Sequence, residues 1–341
     1  VMDPVKALRV SANRTRRKAE FEKYVSAVRD DFERMSRERE CFDNLRIEPK
    51  TGGSANIYTG KVYGCDTLKF LKVVDGSKRA EAKLFEDVEK GNVNPRGQLY
   101  SMVVAERVIC FEGRIYLFFP CLEDNRLNVD PGGSCRAVPR LVIDAVAEFH
   151  SANPYRDNDR VSVPVLDKGR GLKVPALSTL VDVFGGASRA SLRSLWERLD
   201  VVSRKWSVVS EYLSSLPMVL THGDFNHWNI SIDSDVVSLR DFGRVFYGPV
   251  GYELYWLYYY IARGSSGGEA ALARYWSELC RSSGLKYDAL SFSDVKAATC
   301  AAYVEKWAPV NLNVKSTHDL ERLTDVVAAA EQLTDQLGES E

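Results

Sequence analysis

The sequence predicts an α+β protein of two lobes, a small β-rich one followed by a larger α-rich one, with an extra N-terminal helix in front. Strand-like runs broken by glycine turns fill residues 51–119, helical periodicity dominates residues 120–341, and residues 1–50 carry one amphipathic stretch. The chain has 341 residues, 45% of them hydrophobic and 27% charged, the mixture of a globular protein long enough for more than one core. A net charge of −1 supplies no general field for nucleic acid or an acidic membrane surface. Neither is therefore an expected partner.

In residues 1–50, Phe21, Tyr24, Val25, Val28, Phe32 and Met35 recur at three- and four-residue steps, with Arg29, Asp30, Glu33, Arg37 and Glu38 on the other face. Such an apolar face needs a partner surface, either the β-rich lobe or a second subunit in a homodimer. The Arg16-Arg17-Lys18 cluster reads as a solvated helix face. Thr51-Gly52-Gly53-Ser54 is a turn, and strands over 57–63 and 67–74 flank a break at Gly64-Cys65-Asp66. A helix over 78–90 ends at Gly91-Asn92, and strands over 98–105 and 114–119, with a turn at Glu112-Gly113, complete a small sheet with one inserted helix.

Beyond Pro120, helical spacing runs through 138–151 and again through 188–216, where Leu192, Leu195, Leu199, Val202, Trp206 and Val209 share a face. A polar interruption holds a hairpin of 230–232 and 236–239 around Asp233-Ser234-Asp235, after which helices resume over 252–262, 269–282, 293–307 and 319–337. Seven scattered cysteines without a CxxC pair read as free thiols of a reducing compartment. The first thirty residues hold no signal-like apolar stretch, and the longest apolar run, residues 254–262, is shorter than a membrane span. A cytoplasmic location is expected.

The chemistry concentrates in Thr221-His222-Gly223-Asp224-Phe225-Asn226-His227-Trp228-Asn229 and, after the hairpin, Arg240-Asp241-Phe242-Gly243. Phosphoryl transfer needs one carboxylate to orient and deprotonate the attacking hydroxyl, and an amide oxygen with a second carboxylate to hold Mg²⁺ against nucleotide phosphates. Asp224, Asn229 and Asp241 supply these roles in order. Either segment alone is equally well explained by turn-forming aspartates; together and in this order they are not. In the first lobe, Gly52, Gly53, Ser54 and Asn56 open a hairpin where backbone N–H groups could approach phosphates, although an ordinary turn explains a lone glycine pair as well. Lys72, inside the apolar run Phe70-Leu71-Lys72-Val73-Val74, needs a buried partner, and the following helix offers Glu81. Lys69 on the same strand is its rival, with a surface position expected.

The chain resembles the aminoglycoside phosphotransferase and choline kinase-like family, which shares the protein-kinase fold. The resemblance rests on Gly52-Gly53-Ser54-Ala55-Asn56-Ile57-Tyr58, Leu71-Lys72-Val73, the Glu81 helix, Val146-Ala147-Glu148-Phe149-His150 and above all His222-Gly223-Asp224 through Asn229. It implies a β-rich nucleotide-binding lobe over 51–119, an α-rich catalytic and substrate lobe over 120–341, and ATP or GTP bound with Mg²⁺ in the cleft between lobes. It further implies Asp224 as catalytic base, Asn229 and Asp241 as Mg²⁺ ligands, and Lys72 as phosphate ligand oriented by Glu81. Phe119-Pro120-Cys121-Leu122 looks like the interlobe hinge, where backbone groups at Pro120 and Leu122 would meet adenine. His222 resembles the histidine that buttresses the loop backbone, and His150 would cap its helix. Arg240 stands where the family usually has an aliphatic residue and Glu253 where it has aspartate; a salt bridge between the two is the simplest expectation.

Only four residues separate Gly243 from Gly248-Pro249, which leaves no room for the activation segment of a protein kinase. The resemblance therefore implies a small hydroxylated acceptor: a sugar, an amino alcohol or an aminoglycoside-like antibiotic. The alternatives are a kinase acting on a macromolecule, RNA or protein, and a non-catalytic nucleotide-binding module. The aromatic stretch Tyr252, Tyr255, Trp256, Tyr258, Tyr259 and Tyr260 is expected in the core before an acceptor pocket.

Overall fold

A computed structural model describes residues 25–31, 33–35, 46–50, 58–64, 67–76, 79–120, 140–156, 162–166, 171–184, 187–225, 229–262, 264, 266–282, 290–308 and 317–338. The turn residues Gly52, Gly53, Ser54 and Asn56, the hinge residue Leu122, and Phe21, Tyr24 and Phe32 lie outside the described residues. The chain divides into two compact units, Val1–Lys90 with Val103–Asp124, and Gly91–Met102 with Asn125–Glu341.

The first unit is built on β1 (Arg46–Lys50), β2 (Tyr58–Gly64), β3 (Thr67–Asp75), β5 (Arg107–Phe111) and β6 (Arg114–Pro120). They form one antiparallel sheet in the order β1-β2-β3-β6-β5. Alternation along the strands assigns each face a helix. Leu71, Val73, Tyr116 and Phe118 form a buried cluster with Val28 and Met35 of helix α1 (residues 25–31 and 33–35). The described part of that helix's apolar face, Val25, Val28 and Met35, is thus covered by the chain's own sheet. Asp31 seals the contact, accepting hydrogen bonds from Arg114 and the Tyr116 hydroxyl. On the opposite face, α2 (Ala80–Glu89) packs Phe85 edge-on against Phe119, ring centroids 5.7 Å apart.

The second unit carries α3 (Arg140–Ala152), α4 (Leu177–Val183), α5 (Arg189–Arg204), α6 (Trp206–Ser215), α7 (Tyr255–Ala262), α8 (Ser266–Ser282), α9 (Phe292–Trp307) and α10 (Thr317–Gly338). Its core joins α5, α6, α9 and α10 through Leu199, Trp206, Tyr303 and Val326, and the small Ala298, Ala301 and Ala302 let α9 approach closely. The single helix expected over 188–216 is broken at Lys205 (φ −93°, ψ −1°). No glycine or proline marks the break. It accompanies the complete burial of Trp206, whose indole N–H donates to Glu305 at 3.0 Å, tertiary packing prevailing over helix propensity.

Two small sheets complete this unit. β4 (Tyr100–Met102) pairs parallel with β9 (Val236–Leu239), which pairs antiparallel with β8 (Ile230–Asp233); β7 (Met218–Thr221) pairs with β10 (Phe246–Pro249). The strand expected over 98–105 in the first lobe is therefore short and belongs to the second unit. Glu148 of α3 accepts the Gln98 and Leu99 N–H groups (2.8 and 2.7 Å), and Asn153 accepts that of Asn94 (2.7 Å), which tie 91–102 to α3. Among the described residues no helix is long and apolar enough to cross a membrane.

Candidate active site

Strand register brings the two polar segments together. β7 runs into the loop 222–229, which leads to β8, and β9 runs into the loop 240–245, which leads to β10. Thr221 pairs with Phe246, and Ile230 with Leu239. Both loops are therefore clamped side by side at both ends. The β8–β9 hairpin turns at Ser234-Asp235, with Ser234 left-handed (φ +53°), and returns the chain so that Arg240 N–H donates to Asn229 O at 3.0 Å. That return places Asn229 and Asp241, twelve positions apart in sequence, at the same end of one hairpin.

Inside this pair of loops, Asn229 is buried and its Nδ2 donates to the Asp224 carbonyl at 2.8 Å and to Asp224 Oδ2 at 3.5 Å. His222 is fully buried. Its Nε2 hydrogen-bonds the Arg240 carbonyl at 2.8 Å, its Nδ1 accepts the Asp224 N–H at 3.3 Å, and its ring lies 4.5 Å from that of Phe242. This network sets the tautomer, with the proton on Nε2. The imidazole thus fastens one loop to the other. Gly223 has φ +78°, and a Cβ there would stand 2.0 Å from the Arg244 carbonyl oxygen; only glycine permits that approach. Asp241 is also left-handed (φ +64°), a conformation aspartate tolerates better than most residues and one that collects at functional sites.

Glu253 holds the loop from beneath. At 2% exposure, its carboxylate accepts the backbone N–H of His222 and, at 3.2 Å, that of Gly223. Burial pushes its carboxyl up to about 8, against the two backbone donors and Lys306, which lower it, while Asp224 raises it further. The expected salt bridge to Arg240 is not what Glu253 makes; Arg240 donates instead to Ser231 Oγ at 2.5 Å. The difference follows from topology, since the two N–H groups of the left-handed turn need an acceptor.

Asp224 faces two cations: Lys306 Nζ stands 3.6 Å and Arg244 Nη1 3.8 Å from its Oδ1. Lys306 lies 5.2 Å over the Tyr255 ring, and burial pushes its ammonium down while Asp224 pulls it up. A cavity of about 270 Å³ borders the loop at Gly223 and Glu253, with Lys306, Lys173, Tyr255 and Phe246 among its lining residues. The aromatic stretch divides here. Tyr252 and Tyr255 line the cavity, whereas Tyr258 packs on Tyr303 (5.6 Å) and Trp256 stacks on Phe225 (6.4 Å). Sequence reasoning missed Lys306, Lys173 and Arg244. Arg244 directly follows Gly243 and could have been singled out, but no local pattern connects Lys306 to Asp224.

In the first unit, Lys72 on the central strand forms a buried ion pair with Glu81 of α2, Nζ to Oε2 2.5 Å, both about as buried as side chains become (3% and 2% exposed). Lys69 is partly exposed and pairs with Glu106. Pro120 ends β6 opposite Lys69. His150 caps nothing: it is fully buried, its Nδ1 is 2.6 Å from the Tyr275 hydroxyl, and burial lowers it to about 3. A ring so desolvated serves as packing.

No curated protein matches the sequence. Among solved structures, choline kinase from Cryptosporidium parvum superposes with TM-score 0.54 at 10% identity, covering 86% of this chain and 90% of that one. A candidate aminoglycoside phosphotransferase from Ralstonia eutropha superposes with TM-score 0.52 at 11% identity, covering 91% of this chain and 98% of that one. These likenesses establish the protein-kinase-like fold. The sequence profile of the phosphotransferase enzyme family matches residues 78–291, more than half of the chain, and that stretch contains both clamped loops, so the chain belongs to the phosphotransferase enzyme family.

Proposed function

We propose that the chain transfers the terminal phosphoryl group of ATP or GTP to a hydroxyl of a small molecule, with Asp224 as the base and with Mg²⁺ held by Asn229 and Asp241. The observation that carries the reading is the clamped loop pair. It joins a carboxylate, the carboxamide that touches it and a second carboxylate at the end of one hairpin, beside a cavity. In the reaction the acceptor O–H bond breaks as its oxygen bonds to the γ-phosphorus, and the proton passes to the Asp224 carboxylate. The bond from phosphorus to the bridging oxygen breaks at the same time and releases the nucleoside diphosphate.

The donor set suits magnesium. Asn229 engages its amide N–H with Asp224, which leaves its amide oxygen as the group able to meet a hard cation, and Asp241 adds an exposed carboxylate. Among the described residues no group of three or more His, Cys, Asp or Glu side chains could hold a metal, and Mg²⁺ is ordinarily held by one or two carboxylates together with substrate phosphates. When bound, the ion neutralises charge on the transferred group. Lys72, oriented by Glu81, would meet the α- and β-phosphates. Gly52, Gly53, Ser54 and Asn56 would approach them through the backbone, and Pro120 and Leu122 would border the adenine. Only Arg244 and Val245 separate Gly243 from strand β10, so the loop offers no platform for a peptide and a small acceptor is favoured.

The test uses Asp224→Asn. The variant should keep stabilisation by nucleotide plus Mg²⁺, about 2.7 kcal/mol at a hundredfold excess over Kd. It should lose phosphoryl transfer by about a hundred- to ten-thousand-fold, the usual contribution of general-base catalysis. Turnover at the wild-type rate, or no response of the wild-type melting temperature to either nucleotide, overturns the reading.

A further inference from the structure

We propose that Lys306 is a positioning residue for the transfer: its ammonium holds one oxygen of the Asp224 carboxylate so that the other faces the acceptor hydroxyl. The inference rests on the phosphotransferase reading above and adds to it a group outside both loops. It comes from the difference between what fastens the loop and what meets the side chain. His222 and Glu253 act on the loop backbone, through the Asp224 N–H, the Arg240 carbonyl and the His222 and Gly223 N–H groups. None of these contacts reaches the Asp224 carboxylate. The carboxylate meets Lys306 Nζ at 3.6 Å and Arg244 Nη1 at 3.8 Å on Oδ1, and the Asn229 amide at 3.5 Å on Oδ2.

The two cations on Oδ1 are not equivalent. Arg244 is 53% exposed, and an ion pair so open to water fixes little. Lys306 is 29% exposed and stands 5.2 Å over the Tyr255 ring, a face that attracts a cation. It is carried by the last turn of α9, whose Ala298, Ala301, Tyr303 and Val304 are buried in the core, so its anchor is rigid. The helix dipole favours a cation in that turn, but an ammonium left in water would serve it equally. Here Ala302, Glu305 and Lys306, three and four residues apart, line the cavity that borders Gly223 and Glu253. Withdrawing an ammonium from water is costly without a partner, and Asp224 is the carboxylate at ion-pair distance.

Contacts on both oxygens set the rotation of the carboxylate about its Cβ–Cγ bond. With Oδ1 held from α9, the oxygen directed at the hydroxyl is Oδ2, the one that Asn229 touches. The parent reading requires that side, because the acceptor oxygen must meet the base and the phosphorus together, and Asn229 is a proposed metal ligand. In the step the proton leaves the acceptor oxygen for Oδ2 as that oxygen bonds to the γ-phosphorus. Lys306 keeps its protons and changes no bond. Its effect is on geometry, and a catalytic group displaced by about 1 Å can lose about a hundredfold in rate.

The experiment uses the full chain with Mg²⁺ and ATP or GTP, with glucose, ethanolamine, kanamycin and water in turn as the acceptor. Nucleoside diphosphate release and product mass give kcat and the acceptor KM. A double-mutant cycle then crosses Lys306→Met with Asp224→Asn. Lys306→Met alone should lower kcat by about a hundredfold, while the acceptor KM and the rise in melting temperature with nucleotide stay at wild-type values. In the Asp224→Asn background it should change the residual rate little, because the base it positions is already gone. Lys306→Gln, which keeps a polar head, repeats the cycle should Lys306→Met fail to fold. A wild-type kcat in the Lys306 variants overturns the inference and leaves the parent reading standing. So does a raised acceptor KM at unchanged kcat, which would put Lys306 on the acceptor. An equal loss in the Asp224→Asn background also overturns it, since Lys306 would then act on the transferred group without Asp224. No transfer by the wild-type chain to any of these acceptors overturns the parent reading, and the inference with it.

Discussion

Replacing Glu253 by glutamine tests whether the loop that carries Asp224 is held from outside its own motif. The carboxylate is buried and accepts two backbone N–H groups, one on each oxygen. Glutamine keeps the volume but has one oxygen and one NH₂, so in either orientation one of those N–H donors faces another donor. A buried N–H left without an acceptor costs about 1–3 kcal/mol, and Gly223 cannot relax away because its backbone already meets the Arg244 carbonyl. Glu253→Gln should therefore lower unfolding free energy by about 1–3 kcal/mol in denaturant titrations. Turnover should fall further than stability alone explains, because Asp224 follows directly on Gly223. The pH dependence supplies a second readout. Burial raises the Glu253 carboxyl to about 8 from 4.5, so between those values the folded state binds more protons than the unfolded one. The stability Glu253 contributes is then fully present below about 4.5 and lost as pH rises through about 8. The wild-type melting temperature should show that decline, and the glutamine variant should show a flatter profile. Equal stability, equal pH slope and equal turnover in the two proteins would refute the argument that Glu253 fixes the loop.

Lys72→Met should weaken the stabilisation by nucleotide plus Mg²⁺, measured by melting temperature, whereas Lys69→Ala should leave it unchanged, because Lys69 pairs with Glu106 at the surface; the reverse pattern would show that the other lysine meets the phosphates. Met35→Ala, at 3% exposure in the cluster between α1 and the sheet, should cost about 2–5 kcal/mol in urea unfolding without changing the acceptor KM. A loss of turnover at retained stability would place α1 in the catalytic machinery.

What could be read in the sequence follows from how local each signal is. Lys72 was legible because a lysine in an apolar strand has few affordable fates, and a helix offering Glu81 follows within a few residues. Asn229 and Asp241 were legible as one unit because the hairpin between them is short and its turn residues are polar. β4 was misplaced because its partner is β9, far along the chain, and a three-residue parallel strand has no periodicity long enough to reveal which sheet it joins. The break at Lys205 was hidden for the same reason: the apolar face continues through it, and only the burial of Trp206 against α9 marks it. His150 looked like a capping residue from its position near a helix end; its contact with Tyr275 of α8 is invisible without the fold.

The division of labour at the site explains why the acceptor was the least legible feature. The groups proposed to carry the transfer sit on two short loops, residues 222–229 and 240–245, so they leave a compact trace in the sequence. The other side chains of the cavity beside that loop come from elsewhere: Lys306 and Glu305 from the last turn of α9, Tyr255 from the first turn of α7, and Lys173 from the segment before α4. Each is a single side chain on an element whose main demand is packing. α9 must keep Ala298, Ala301, Tyr303 and Val304 buried, a pattern compatible with many residues at 305 and 306. Lys306 itself is half-buried near the end of that helix, so its exchange changes the charge beside Asp224. On the proposed reading, residues of α9 can change beside the cavity without being part of the loops that carry Asp224, Asn229 and Asp241, so the loop motif carries no information on the acceptor.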